Sequence, residues 1–204
     1  MKDKTDFELF KIITTLREEY QPDAVRAAEE EIEMRNLFKD NLEKAKLRLD
    51  DEILFDGAIC MYYHEEILNQ DLAWFKEAGY TIYDFDTEAW TADIAHQEIK
   101  IKMGFPQYYG MNLDAFDECL SELYKDNYTG QIIVFRHFDK FNKTDERFCH
   151  AILDIIADQS RQWLVSCHRL IGIIQVDDRN FLLQKVGGYV PCWSPNDPDF
   201  RRRF

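Results

Sequence analysis

Residues 105–120 read FPQYYGMNLDAFDECL, and this run constrains the chain more than any other. A proline, a tyrosine pair and a glycine stand directly before a segment whose polarity repeats with helical period. At about 100° per residue from Leu113, the side chains of Phe116, Cys119, Leu120 and Leu123 fall with Leu113 on one side. Asp114, Glu118 and Glu122 fall on the other, at i, i+4 and i+8. Like charges at that spacing repel by a few tenths of a kcal/mol per pair, so the ladder gives an isolated helix nothing. A cationic partner would gain from it. The asymmetry points to binding.

The segments around this run alternate between strand and helix. The run EEILNQDLAWFKEAG is read as an amphipathic helix from His64 to Ala78, with Ile67, Leu68, Leu72 and Phe75 on one side and Gly79 as its stop. YTIYDFD alternates like a strand, and a helix is expected near Thr91–Gly104, ended before Pro106. After the acidic helix come a buried strand, QIIVFRHF, a helix from about Thr144 to Trp163 capped at Thr144, and a last strand, LIGIIQV. Short apolar strands alternating with helices predict an α/β domain, a small parallel sheet with helices packed on it. We place it at residues 57–176, with Gly57 as its boundary. Residues 1–56 are expected to form an all-helical module of unknown role. Phe7, Phe10, Ile12, Ile13 and Leu16 mark one helix, Pro22 opens a second, and FKDNLEKAKLRL suggests a third. Residues 177–204, with Gly187-Gly188, three prolines and a terminal arginine run, are expected to be an irregular extension over the body.

With 204 residues, 46% of them hydrophobic, the chain can bury a core and is not disordered. A net charge of −14 disfavours direct contact with nucleic acid or an anionic membrane, which require a basic footprint. It favours a basic protein, whose approach an acidic surface accelerates. Five scattered cysteines without a CxxC pair imply a reducing compartment, and no apolar leader or spanning run is present, so a cytoplasmic protein is expected. His64-Glu65-Glu66 lacks a second histidine at helical spacing, and no GxSxG, P-loop or Rossmann glycine run occurs. Neither a metal nor another cofactor is expected.

The same run resembles the barstar-like family of intracellular inhibitors of barnase-type ribonucleases. Pro106, Tyr108, Tyr109, Gly110, Asn112, Leu113, Asp114, Ala115, Cys119 and Leu120 carry the likeness. His96 and Gln97 fit the preceding helix, and Arg136 and Phe138 the following strand, so that it spans roughly Tyr80 to Val176. The resemblance implies a barstar-like α/β fold and a basic secreted ribonuclease or related toxin as partner. The inhibitor would fill the phosphate-binding cleft of that enzyme with carboxylates, which accept bidentate hydrogen bonds from arginine.

On this reading the partner-binding residues are Tyr108, Tyr109, Gly110, Asn112, Asp114, Asp117 and Glu118, joined by Asp158 at the family's other acidic position. Asn112 can cap the helix, whose positive N-terminal end tolerates Asp114 and Asp117. Gly110 is free to take φ > 0 and so fix how the tyrosines are presented. Glu118 stands where the family has an aspartate, and Asp117 where it has a tryptophan, so charge is kept while apolar contact is lost. No catalytic residue is expected, because Asp114 and Glu118 share one exposed helix face with nothing to desolvate either. The reading from a different class is a non-inhibitory interaction or scaffold domain that keeps the fold and associates through the N-terminal helices.

Overall fold

The computed structural model describes residues 4, 9, 12, 20–34, 48–124 and 129–197. The chain divides into two units, Met1–Arg48 and Leu49–Phe204. In the first, α1 (Pro22–Met34) starts on its proline, where the missing N–H costs nothing. Its apolar face, Val25, Ala28 and Ile32, is buried together with Leu9 and Ile12. Phe7, Phe10, Ile13 and Leu16, and most of the expected third helix, lie outside the described residues.

The second unit begins at α2 (Leu49–Phe55), earlier than the boundary expected at Gly57. The reason is electrostatic. Asp50 is fully buried, accepts a hydrogen bond from the Tyr80 hydroxyl at 2.5 Å and pairs with Arg169. Arg169 also reaches Asp51 at 2.9 Å. Ile53 enters the core beside them. There follow β1 (Ile59–Tyr62), α3 (Glu65–Glu77), β2 (Thr81–Asp86), α4 (Ala92–Met103), α5 (Leu113–Ser121) and β3 (Gln131–Arg136). The order continues through α6 (Phe138–Thr144), α7 (Glu146–Val165), β4 (Leu170–Gln175) and β5 (Cys192–Trp193).

The strands form one parallel sheet in the order β2-β3-β4-β1-β5. β3 and β4 are buried along nearly their whole length, which is why both are continuous apolar runs rather than alternating ones. Successive residues feed opposite faces. Ile133 and Phe135 join the helices α4 to α7 in one core, while Ile132 and Val134 join α2 and α3 in the other. The chain steps from β1 across to β2 and then returns through β3 and β4, so its direction of travel reverses once. Right-handed crossovers therefore put α3 on one face and α4 to α7 on the other.

Several local boundaries differ from the sequence expectation. α7 is capped by Asp145, whose carboxylate accepts the Phe148 N–H at 3.0 Å, so Thr144 ends α6 instead. The short helix α6 follows β3 at once because His137 takes a left-handed turn, φ 56°, between them. Part of the 177–204 segment is also regular, since β5 pairs with β1. Its neighbour Asp197 is fully buried and accepts the N–H groups of Tyr63 at 2.9 Å and His64 at 3.0 Å. The terminal arginines lie outside the described residues.

Candidate functional site

α4 ends on Gly104 in the left-handed conformation, and the chain crosses from there to α5 through residues 105–112. The Tyr109 N–H donates to the Pro106 carbonyl at 3.0 Å, closing a turn that sends the two tyrosines opposite ways. Tyr108 is 81% exposed, whereas Tyr109 is 4% exposed. Tyr109 packs on Phe105, and its hydroxyl lies 2.5 Å from Nδ1 of the buried His96. Burial pushes the phenol of Tyr109 up and the imidazole of His96 down, with Asp93 opposing the latter. Only one of the paired tyrosines, Tyr108, presents its ring to solvent, while the Tyr109 ring is buried.

Positive φ in this turn belongs to Met111, at 52°, and not to Gly110. What Gly110 supplies is room. A Cβ there would stand 3.1 Å from the Asn112 carboxamide and 3.4 Å from the Ala115 methyl. The Asn112 carboxamide uses that room twice, accepting the Ala115 N–H at 2.8 Å and donating to the Gly110 carbonyl at 3.2 Å. It thereby caps α5 and fixes the turn before it.

α5 buries Phe116 and Leu120 and packs Leu113 and Cys119 against the same core, joined by Leu123 just past its end. Asp114, Glu118 and Glu122 are left exposed on its outer side. Among the described residues, no basic side chain forms an ion pair with any of the three. Their field reaches the helix itself: burial raises the Cys119 thiol, and Glu122 and Glu118 raise it further. Two shallow concavities flank this side. One, about 340 Å³, is lined by Asp93, His96, Asn112, Asp114 and Phe148 among others. The second, about 190 Å³, lies between Pro106, Tyr108, Cys119 and Glu122.

The other two expected carboxylates are engaged within the chain. Asp117 is half-buried and accepts a hydrogen bond from Gln159 of α7 at 2.7 Å, a strut between two helices. Asp158 is exposed on α7 but pairs with Arg161 one turn later. Asp93, on the first turn of α4, was not singled out from the sequence. Its position two residues after the N-cap Thr91 was visible there, but its place across a concavity from Asp114 depends on how α4 and α5 pack.

Among the described residues no group of three or more His, Cys, Asp or Glu side chains is disposed to hold a metal ion. No described helix is long and apolar enough to cross a membrane. The outer side of α5 is thus an exposed acidic face with a shallow concavity on either flank. The curated proteins include no significant match to the chain. The family model described as Barstar (barnase inhibitor) matches residues 80–181, half of its length and the whole of the stretch that carries α4, α5 and the turn between them. By that match and by its parallel α/β fold, the chain belongs to the barstar family.

Proposed function

We propose that this protein inhibits a basic ribonuclease or a related nuclease toxin by seating the outer side of α5 in the enzyme's phosphate-binding cleft. The observation that carries the reading is that Asp114 and Glu118 stand exposed one turn apart, with no intrachain cation among the described residues paired to either. Carboxylates so placed can accept the hydrogen bonds that arginine and lysine would give to phosphate. Tyr108 adds exposed aromatic area at the concavity it shares with Glu122, the kind of side chain that anchors interfaces. Gly110, Asn112 and Tyr109 hold the turn that aims the helix. Asp117 and Asp158 serve as flanking charge, already drawn on by Gln159 and Arg161. Glu118 reaches one methylene further than the family's aspartate, which suits a partner other than barnase itself.

A ribonuclease assay with barnase-like enzymes tests this. Asp114→Ala and Glu118→Ala should each raise the inhibition constant by roughly 30-fold or more, about 2 kcal/mol, while Asp158→Ala does much less. Association should slow steeply with added salt. A double variant as potent as the wild type would reject the face.

A further inference from the structure

β5 lays two residues parallel against β1, with Cys60 as the register partner of Cys192 and Met61 that of Trp193. Register partners leave a sheet on the same face, and adjacent strands run about 4.8 Å apart. That separation lies inside the range of roughly 4.4–6.8 Å between Cα atoms that a disulfide accepts. Burial first, and Cys192 after it, push the Cys60 thiol well above its ordinary value, and the thiol faces the Met61 carbonyl at 4.0 Å. Cys60 is fully buried and Cys192 is partly accessible. The remaining cysteines, Cys119, Cys149 and Cys167, lie outside the strands.

Cys192 is also held in place. The Ser194 N–H donates to the Met61 carbonyl at 2.8 Å, and the Asn196 carboxamide donates to Asp71 at 2.9 Å. Asp71 in turn accepts the Tyr62 hydroxyl at 2.8 Å. These contacts keep Cys192 in register beside Cys60.

We propose that Cys60 and Cys192 are an oxidation site, a dithiol that hydrogen peroxide converts to a disulfide closing the C-terminal segment onto β1. The accessible Cys192 sulfur, as thiolate, attacks one peroxide oxygen. An S–O bond forms, the O–O bond breaks, and the departing hydroxide takes a proton to become water. The Cys60 sulfur then attacks the Cys192 sulfur, so that the S–S bond forms and the S–O bond breaks. The hydroxyl leaves as a second water with the Cys60 proton. Two thiols lose two electrons and one peroxide gains them. Because burial disfavours the Cys60 thiolate, the second step is the slower one, and excess dithiol reverses the product by exchange. The site is independent of the acidic face of α5.

The test uses the full chain, treated with hydrogen peroxide and then with dithiothreitol. Peptide mapping of the monomer should recover one cross-linked species joining the Cys60 and Cys192 peptides, and the melting temperature should rise by a few degrees and fall back on reduction. Cys192→Ser should abolish both changes, while Cys167→Ser should keep them. Mapping of the unmutated protein decides the matter even if a variant fails to fold. Recovery of Cys192 as sulfinic acid or in intermolecular disulfides, with Cys60 still a free thiol, would overturn the assignment. So would a melting shift that survives in Cys192→Ser.

Discussion

Tyr109 and His96 meet inside the protein at 2.5 Å, with Phe148 edge-on to the imidazole. Burial lowers the pKa of His96 in the folded state against the weaker pull of Asp93, while the unfolded chain titrates it near 6.5. Between the two values the unfolded state binds the extra proton. The contribution is therefore complete above about pH 6.5 and is lost as pH falls toward the folded value. Urea unfolding from pH 8 to 5 should show a declining midpoint that His96→Gln flattens. Parallel profiles for the two proteins would assign the decline to other groups. The tyrosine pair also marks a limit of sequence reading. Two adjacent identical residues in a turn carry no periodicity, and which of them points inward is decided by the left-handed Met111 and the space beside His96.

α5 separates residues that position from residues that contact. Asn112→Ala removes the cap and should cost about 1 kcal/mol of stability, whereas Asp114→Ala removes only an exposed first-turn charge worth about 0.5 kcal/mol. Denaturant midpoints and the inhibition assay should rank the two variants in opposite orders, and the same order in both would make Asn112 a contact. Long amphipathic elements were legible: α3, α4 and α5 follow from the spacing of Leu72, Ile99 and Phe116 with their neighbours. β1 was not, because four consecutive buried residues, ICMY, have neither alternation nor length. α6 was hidden because FDKFNKT continues directly from a strand. The strut role of Asp117 was half visible. Four positions beyond Leu113 it points only about 40° away from the apolar side, too near the core to stay free. The Asp158–Arg161 pair was likewise present in the spacing, as an i, i+3 neighbour.

At the scale of the whole molecule the chain breaks at residue 48, because α2 is tied into the sheet unit by its acids. A fragment of residues 49–204 should therefore melt cooperatively, while one of residues 57–204 strips Asp50 from Tyr80 and Arg169 and exposes the pocket filled by Ile53. The loss should be several kcal/mol, given one broken buried charge pair and one vacated core position. Circular dichroism melts of the two fragments give the answer, and equal midpoints would return the boundary to Gly57. Composition could not reveal this, since LDDEILF is as acidic as α1 before it and only its tertiary partner Arg169, just ahead of β4, distinguishes it. The far end of the sheet has the complementary property. β5 is only two residues long, yet it hems the middle of β1, whose amides and carbonyls there would otherwise lie open along an apolar margin. Such a margin invites strand addition from a neighbouring molecule, so this brief hem guards against fibrous self-association out of proportion to its size.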